Sequence, residues 1–311
     1  MDKKIQLALI AGGKSGEREV SLAGAKGVLQ ALDPAKYEVH QYDPAQDLPR
    51  LASDAPKLDV AFILLHGPLG EDGAMQGLLD LLDLPYQGSG IMGSAVAMNK
   101  NFAKILYKQA GLPVAEWLMA SPEDINNPAT ISTKLNFPLV IKPVSQGSSL
   151  GMSIAHDDSE LAEGLAQAFK YDKEVMVEEF FQGREITGGV LGNETLEALP
   201  LVEIIPGEEH PFFNYEAKYQ AGASQEICPA DLSEEITRKA QEYALKAHQA
   251  LHLTGYSRTD MIVSEDGRIA VIETNTIPGM TPTSLLPQAA QAAGYSFPQL
   301  LDKLIELAME R

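Results

Sequence analysis

The chain has 311 residues and a formal net charge of −19, from 24 lysines and arginines against 43 aspartates and glutamates. Apolar residues make up 45% of it and charged residues 22%, ordinary values for a globular chain of roughly two or three domains. An acidic chain without runs of Lys and Arg does not suit general nucleic-acid binding. The lone Cys228 can form neither an internal disulfide nor a thiolate zinc site. We therefore expect a cytoplasmic protein without a nucleic-acid partner.

The first apolar run, residues 5–11, is too short for an export signal or a membrane helix, and it stops at Gly12-Gly13-Lys14. No other run approaches the roughly 20 apolar residues that a membrane span needs. We predict that the run is a buried strand and that the protein has no membrane partner.

Residues 5–93 alternate strand-like runs with helical patterns, which predicts a parallel sheet with crossover helices. The strand-like runs are 7–10 and 60–65, and the helical patterns are 19–32 and 75–82. A helix is predicted over 94–109, stopped by Gly111-Leu112-Pro113. A mixed middle domain begins near residue 95, and after this helix it has short strands at 116–120, 139–142 and 152–155 with little helix between them.

The last third begins with a predicted helix over 159–169 and a β-rich stretch over 174–205. Residues 206–231 show no clear period, and about 26 residues is long for an idle loop, so we predict a functional lid. A helix over 233–253, a hairpin and two closing helices follow.

Residues 256–275 read YSRTDMIVSEDGRIAVIETN, two β-branched runs joined at Asp266-Gly267. That dipeptide is typical of a two-residue hairpin turn. With Asp266 and Gly267 at its centre, Glu265 is predicted to lie opposite Arg268.

Counting outward from this turn places Asp260 opposite Glu273 and Arg258 opposite Asn275, all on one face. Neighbouring carboxylates repel unless a cation lies between them. The oxygen ligands Asp260, Glu273 and Asn275 suit Mg²⁺ or Mn²⁺. A solvated acidic face with Arg258 as diagonal partner fits the same spacing, so both interpretations stay open on geometry alone.

Residues 137–155 read FPLVIKPVSQGSSLGMSIA, a strand ending in Lys142, a loop and a second strand. A lysine at the end of an apolar strand brings a point charge to the loop. A second candidate is Lys100, on the helix that opens the middle domain. The small residues of the loop are Gly147, Ser148, Ser149 and Gly151. Such a loop can close over phosphate, although a flexible hairpin tip has the same composition.

The chain resembles the ATP-grasp ligases and, within them, the D-alanine:D-alanine ligase family. Six segments in matching order carry the resemblance: GGKSGEREVSL at 12–22, HGPLGEDG at 66–73, IKPVSQGSSLGMS at 141–153, NYEAKY at 214–219, SRTD at 257–260 and ETNTIPGMTPTSLLP at 273–287. The resemblance implies an ATP-grasp fold of α/β and α+β class with an N-terminal parallel-sheet, Rossmann-like domain. The implied divisions are 1–94 for the first-substrate side, 95–180 for the central subdomain with the Ser/Gly flap, and 181–311 for the C-terminal subdomain.

The resemblance also implies that ATP, as co-substrate, lies between the central and C-terminal subdomains. Its phosphates are then held by Lys100, Lys142, Ser148, Ser149 and Lys218, and its base and ribose by Glu178, Glu179, Phe181 and Glu185. Two Mg²⁺ or Mn²⁺ ions are then held by Asp260, Glu273 and Asn275. A homodimer is implied by the resemblance alone.

The reaction that the resemblance implies joins two D-alanine molecules for peptidoglycan precursor synthesis. The first D-alanine attacks the γ-phosphoryl group of ATP, and the amine of the second attacks the resulting acyl phosphate. Arg258 and the backbone N–H of Gly279 stabilise the oxyanion. Glu17 pairs with the first ammonium group, and His66 lies near that substrate.

The carboxylate of the second D-alanine is implied to bind at Ser284 and the Leu285 amide, at a helix N-terminus. Ser284 is also explained as an ordinary N-cap, and the two roles are compatible. In the lid, Lys218 is implied to reach the γ-phosphate and Tyr219 to connect through Ser148 to Glu17. The presence of Tyr219 favours a dipeptide over a depsipeptide product.

Three alternatives compete with this hypothesis. The first is another ATP-grasp ligase with a different acid or amine, against which Glu17, Tyr219 and Ser284 discriminate. The second is a nicotinamide-dependent dehydrogenase that uses GSGIMG at 88–93, although the residues before it make a poor central strand. The third is a nucleotide-binding sensor without catalysis, and the filled catalytic positions argue against it.

Overall fold

The computed structural model describes residues 3–147, 150–207 and 224–310. Three sheets with flanking helices follow one another along the chain. Over the described ranges, every helix is too short or too polar to traverse a lipid bilayer.

The first sheet is parallel and has the strand order β2-β1-β3. Its elements are β1 (Ile5–Ile10), α1 (Arg18–Ala31), β2 (Tyr37–Tyr42), α2 (Leu48–Asp54) and β3 (Val60–Ile63). All of β3 and the last four residues of β1 are buried, as expected for strands covered on both faces. The parallel sheet is therefore confirmed, with β2 and α2 in addition to the predicted elements.

The helices after the first sheet are α3 (Ala74–Leu81), α4 (Ile91–Met98) and α5 (Lys100–Gln109). The prediction of one helix over 94–109 is wrong, because Asn99 is extended and separates α4 from α5. The Asn99 side chain accepts a hydrogen bond from the Phe102 N–H and caps α5. The Lys100 N–H donates to the Val144 carbonyl at 3.2 Å, so the break fixes Lys100 next to the middle sheet.

The middle sheet is antiparallel, with the order β4-β7-β5-β6. Its strands are β4 (Trp117–Ala120), β5 (Leu139–Pro143), β6 (Ser153–Ala155) and β7 (Val175–Glu179). The helices α6 (Ala129–Ser132) and α7 (Asp158–Ala168) pack on one face, and their core includes Ile131, Leu161 and Leu165. The Ser/Gly loop joins β5 to β6, as the sequence predicts.

The third sheet has the order β11-β10-β8-β12-β13, with β9 paired to β8. Its strands are β8 (Arg184–Gly192), β9 (Glu197–Ala198), β10 (Val202–Pro206), β11 (Ser224–Ile227), β12 (Gly255–Val263) and β13 (Ile269–Asn275). Within the predicted lid over 206–231, for which the sequence shows no clear period, the structure has the strand β11, which pairs with β10. Residues 208–223 of the predicted lid lie outside the described residues.

Three helices complete the chain: α8 (Glu234–Ala250), α9 (Leu285–Ala292) and α10 (Phe297–Met309). The last two pack on the first sheet in one core that joins the two ends of the chain. At its edge, Asp302 of α10 accepts hydrogen bonds from Lys36 at 2.5 Å and from the Tyr37 hydroxyl at 2.7 Å. This contact joins α10 to the start of β2, two segments that lie far apart in sequence.

Candidate functional site

A cleft lies between the middle and third sheets. Eight of the residues predicted to bind ATP or metal line it: Lys100, Lys142, Glu178, Glu179, Phe181, Glu185, Asp260 and Glu273. They come from α5, β5, β7, β8, β12 and β13 and from the segment after β7. The sequence pattern thus selected residues that the fold brings together around one cavity.

The hairpin of β12 and β13 has the predicted register at the cleft but not at its turn. Asp260 lies opposite Glu273, and Arg258 lies opposite Asn275. The predicted Glu265 and Arg268 pairing is wrong.

The observed turn is one residue longer than the predicted one. Ser264, not Glu265, lies opposite Arg268: the Ser264 N–H donates to the Arg268 carbonyl and the Gly267 N–H donates to the Ser264 carbonyl, each at 2.9 Å. Gly267 has a φ of +80°, the left-handed conformation that a three-residue hairpin loop needs and glycine supplies.

A β-bulge on β13 compensates for the longer turn. Val271 pairs with Met261 while Glu273 pairs with Asp260, so Ile272 is the extra residue. In a regular strand, Ile272 and Glu273 point to opposite faces, yet both line the cleft here. The bulge therefore supplies an apolar wall and a carboxylate from neighbouring positions.

Cationic and amide side chains contact the two facing carboxylates. Arg258 donates two hydrogen bonds to Asp260, each at 3.0 Å, and the Asn275 amide nitrogen donates to Asp260 at 3.2 Å. Lys100 Nζ lies 3.3 Å from Glu273 Oε2 and donates to the Gln146 carbonyl at 2.8 Å. The diagonal Arg258 partner of the alternative interpretation is thus present, but on a largely buried carboxylate and not on a solvated face.

The donor atoms of Asp260, Glu273 and Asn275 are all oxygens on one face, which fits a hard divalent cation. Within the ranges that the structure describes, no group of three or more His, Cys, Asp or Glu side chains is arranged around a metal site. Two carboxylates are thus the acidic ligands available at this position. This set fits Mg²⁺, which keeps water and phosphate oxygens in its shell.

The deepest charges of the cleft are those of Glu178 on β7 and its two lysine partners. Lys142 pairs with Glu178 Oε1 and Lys104 with Glu178 Oε2. Burial alone raises the pKa of Glu178, but the ammonium groups of Lys142 and Lys104 outweigh it and hold that pKa below its usual range. Glu178 is therefore an ionised, fixed carboxylate.

The segment after β7 offers backbone groups at the cleft. The Glu179 N–H donates to the Glu116 carbonyl at 3.0 Å, and the Phe180 N–H donates to the Pro138 carbonyl at 2.9 Å. No backbone bond between described residues outside regular elements uses the Phe181 N–H. Apolar side chains wall the cleft here, and sequence analysis did not name them: Val140, Met152, Ile154, Ile262 and Ile272.

Glu17 lies at the other end of the site, between two glycine-containing loops. A Cβ atom added at Gly67 would stand 3.0 Å from Glu17 Oε2, and one added at Gly147 would stand 3.1 Å from it. His66 is buried beside Glu17, and it forms a hydrogen bond with the Ile277 backbone. Burial lowers the pKa of His66, so its ring is neutral at pH 7.

Glu71, in the same loop as His66, is a site residue that sequence analysis did not assign. It accepts a hydrogen bond from the Gly67 N–H at 2.6 Å. Burial, with a smaller contribution from Glu17, raises the pKa of Glu71 to about 8. Its place in the quoted HGPLGEDG segment was the available signal.

Ser284 precedes α9 at the N-cap position without capping the helix through its side chain. Its Oγ instead accepts a hydrogen bond from the Thr281 N–H at 3.1 Å and lies 2.8 Å from the Thr281 hydroxyl. A Cβ atom on Gly279 would stand 3.0 Å from this Oγ. The predicted residues Gly279, Ser284 and Leu285 are thus adjacent, and Ser284 does not play the ordinary capping role.

Four predicted residues lie outside the described residues: Ser148, Ser149, Lys218 and Tyr219. Their predicted roles in the flap and the lid stay predictions.

The GSGIMG segment at 88–93 has a packing role in the structure. Tyr86, just before it, forms a single bridge with Ala61 in place of a strand. Gly88 packs so tightly on Gly255 that a Cβ atom on Gly255 would stand 3.0 Å from the Gly88 nitrogen. A dinucleotide site needs a strand before the glycines, so this segment gives the dehydrogenase alternative no support.

Lys104 is the other site residue that sequence analysis missed. It follows Lys100 by four residues, and Tyr107 follows by three more, so all three share one face of α5. The Tyr107 hydroxyl donates to Thr274 Oγ1 at 2.7 Å, and Thr274 lies between Glu273 and Asn275, two of the predicted metal ligands. The helical spacing from Lys100 was the signal that could have identified Lys104.

Comparison with known proteins gives consistent matches over nearly the whole chain. The family models described as D-ala D-ala ligase N-terminus and C-terminus match residues 40–89 and 106–306. A protein of Syntrophobacter fumaroxidans named D-alanine--D-alanine ligase is 58% identical over 308 residues, 99% of each chain.

Solved structures agree with the sequence matches. The D-alanine--D-alanine ligase of Bacillus anthracis complexed with ATP has a TM-score of 0.86 and 34% identity, covering 98% of each chain. The VanG D-Ala:D-Ser ligase of Enterococcus faecalis has a TM-score of 0.85 and 31% identity, covering 98% of this chain and all of that one.

Proposed function

Because the chain belongs to the D-alanine–D-alanine ligase family, with its ATP-grasp fold, we propose that the residues around the cleft divide the steps of that reaction as follows. The protein is an ATP-dependent ligase that joins two D-alanine molecules through a D-alanyl phosphate and releases ADP and phosphate. Its product, D-alanyl-D-alanine, is a peptidoglycan precursor. The observation that carries the residue roles is the convergence of eight predicted residues on one cleft.

ATP lies in the cleft with its base toward β7. The Phe181 N–H and the Glu179 carbonyl bind the edge of the adenine, because the Glu179 N–H is already used by Glu116. The Glu178 carboxylate accepts from the exocyclic amine, and Glu185 binds the ribose hydroxyls. The apolar side chains on both sides of the cleft support the base by stacking.

Lys100 and Lys142 bind the phosphates, together with Ser148 and Ser149 of the flap and Lys218 of the lid. Asp260, Glu273 and Asn275 would hold two Mg²⁺ or Mn²⁺ ions, which would neutralise phosphate charge during phosphoryl transfer. The support for this assignment is the facing pair of carboxylates, whose lysine partner also reaches the flap.

The first D-alanine binds with its ammonium group on Glu17 and its carboxylate toward the γ-phosphate. His66 is neutral and packs beside Glu17, so it orients the substrate without adding a competing charge. Tyr219 and Ser148 complete this end of the site by linking to Glu17. An oxygen of the free carboxylate is a poor leaving group, so it must be phosphorylated before an amine can displace it.

The second D-alanine binds with its carboxylate on the Ser284 hydroxyl and the Leu285 N–H, where the α9 dipole favours an anion. Its amine attacks the acyl phosphate carbonyl, and phosphate leaves as the peptide bond forms. Arg258 and the Gly279 N–H stabilise the oxyanion of that step. The proximity of Gly279 to Ser284 supports a common site for these two functions.

The proposed domain roles follow the sheets. Residues 1–94 bind the first substrate, 95–180 form the central subdomain with the flap, and 181–311 form the C-terminal subdomain with lid and metal site. A cytoplasmic location is proposed because the reaction consumes ATP. We also propose a homodimer without a membrane or nucleic-acid partner.

The substrate assignment is tested by phosphate release from ATP with D-alanine, L-alanine, D-lactate and D-serine, with mass analysis of products. When D-alanine is the only substrate added with ATP, we expect phosphate release and a dipeptide of two alanine units as the product. D-Serine is included with D-alanine because a D-Ala:D-Ser ligase is among the structural relatives. Preferential formation of the mixed D-alanyl-D-serine product would contradict the assignment of the second substrate.

A further inference from the structure

Lys104 is a buried lysine that has no role in the reaction as proposed above. Its side chain is 1% exposed, and its ammonium group pairs with Glu178 inside the protein. Burying a charge that far is costly unless a partner neutralises it. Methionine has an apolar side chain of similar length without the charge, so the presence of a charge at this buried position needs an explanation.

The arrangement has two cations and one anion. Glu178 Oε1 pairs with Lys142, which lines the cleft, and Glu178 Oε2 pairs with Lys104, which does not. Lys142 is therefore the ammonium group that a phosphate can reach. While Lys142 also neutralises Glu178, the negative charge of Glu178 offsets part of the attraction of Lys142 for a second anion.

The position of Lys104 is fixed from several sides. It lies on α5 one turn after Lys100, whose amide is bonded to the Val144 carbonyl. Its Nζ also lies 5.1 Å from the centre of the Trp117 ring, a cation–π distance. Since Trp117 is paired with Glu178 across β4 and β7, the same two strands hold both contacts of the ammonium group.

We propose that Lys104 is a positioning residue that stays paired with Glu178 and thereby releases Lys142 to bind the nucleotide phosphates. The inference rests on the proposed role of the cleft as the ATP site. When the phosphates arrive, Lys142 moves from one anion to another, and Glu178 keeps the Lys104 partner. Without Lys104, drawing Lys142 away leaves a buried carboxylate without its counter-ion, so ATP binding has to overcome that cost.

The test is Lys104→Met, which keeps the length and apolar stem of the side chain and removes its charge. We expect the Kd for ATP with magnesium, measured by calorimetry, and the KM for ATP to rise about tenfold or more. The KM for D-alanine and kcat at saturating ATP should change much less. Lys108→Met is the matched control, since Lys108 is an exposed lysine of the same helix that also lies near Trp117, at 5.4 Å, and should bind ATP as the wild type does.

A double-mutant cycle with Glu178→Gln separates positioning from packing. If Lys104 acts by neutralising Glu178, the loss caused by Lys104→Met should largely disappear once residue 178 carries no charge. An equal loss in both backgrounds, or unchanged ATP affinity in Lys104→Met, would overturn the inference. Lys104→Gln, which keeps a donor to Glu178, replaces the methionine variant if thermal unfolding shows that the latter does not fold.

The outcomes distinguish this inference from the proposed function beneath it. A wild-type protein that binds ATP in the cleft while Lys104→Met binds it equally well contradicts the inference alone. A wild-type protein that does not bind ATP, or whose ATP binding is unaffected by changes at Lys142 and Asp260, contradicts the proposed site and the inference together.

Discussion

The carboxylate of Glu17 lies against the backbone of Gly147, so that a Cβ atom at residue 147 would stand 3.1 Å from Glu17 Oε2. Glu17 precedes α1 next to the parallel sheet, and Gly147 begins the flap of the middle sheet. The group proposed to bind the first ammonium thus contacts the loop proposed to cover the phosphates. The position of the flap and the geometry of the first-substrate site are therefore coupled.

Gly147→Ala should weaken the use of D-alanine. The added methyl group is closer to Glu17 than ordinary contacts allow, so either the carboxylate or the flap must shift. We expect kcat/KM for D-alanine to fall about tenfold, measured by phosphate release at saturating ATP. Gly16→Ala is the control, because a Cβ there meets nothing within 4 Å and Gly16 lies in the same loop as Glu17. Equal kinetics of the two variants would show that the contact between residue 147 and Glu17 does not affect activity.

The hairpin shows how a sequence can predict a site correctly while mispredicting its backbone. The opposition of Asp260 and Glu273 was deduced from a two-residue turn, and the observed turn is longer by one residue. The bulge at Ile272 restores the register before the strands reach the cleft. Alternation of apolar and polar residues predicts strands and faces well, but a bulge leaves no clear mark in composition, so its position could not be predicted.

Long-range contacts limited the rest of the prediction. The break at Asn99 coincides with a hydrogen bond between Lys100 and Val144, residues far apart in sequence, and helix propensity alone does not predict it. The strand Ser224–Ile227 exists because β10 offers it an edge. No residue near Lys104 in sequence indicates that it is buried and paired, since its partner Glu178 is 74 residues away. The candidate substrate and metal residues were easier to predict, because short sequence motifs give their types and order without knowledge of the packing.

Asp260→Asn and Glu273→Gln should each abolish most turnover while the fold stays intact. Both changes keep the shape of the side chain and remove one of the two facing negative charges. We expect kcat to fall about a hundredfold or more, with a rise in the magnesium concentration needed for half-maximal rate. Measured rates across a magnesium titration test this.

Glu265→Gln is the matched control for the metal assignment. It changes an exposed carboxylate at the tip of the same hairpin, away from the cleft, and should leave the magnesium titration unchanged. Near-normal magnesium-dependent activity in the Asp260 and Glu273 variants would contradict the assignment. Circular dichroism and thermal unfolding establish that any loss is not a failure to fold.

Glu71 should make stability depend on pH. Burial raises its pKa from the usual 4.5 to about 8 in the folded protein. Between these values the folded state holds a proton that the unfolded chain has released, so this contribution to the free energy of unfolding decreases as pH rises from about 5 to 8. Below pH 4.5 the carboxyl is protonated in both states, and the contribution is complete.

Glu71→Gln removes this titration and keeps an acceptor for the Gly67 N–H. We expect the Tm of the variant to fall less than that of the wild type between pH 5 and 8, measured by calorimetry in the same buffers. Glu194→Gln, at an exposed carboxylate, should follow the wild-type curve. Parallel curves for the Glu71 variant and the wild type would show that Glu71 does not carry the raised pKa.

Two serines at helix N-termini allow a comparison between substrate binding and capping. The Ser296 side chain accepts a hydrogen bond from the Gln299 N–H in a capping box at the start of α10. Ser284 occupies the same position before α9, but its hydroxyl contacts Thr281 and lies near Gly279. Ser296 should therefore contribute to stability, whereas Ser284 should contribute to substrate binding.

Ser296→Ala is expected to lower the free energy of unfolding by about 1 kcal/mol and to leave the kinetics unchanged. Ser284→Ala is expected to raise the KM for the second D-alanine about tenfold or more, with little change in Tm or in the KM for ATP. Denaturant unfolding and initial rates over a wide range of D-alanine concentrations measure both effects. If Ser284→Ala instead destabilises the fold and leaves the second KM unchanged, the hydroxyl is structural, and the proposed carboxylate site has to be sought elsewhere.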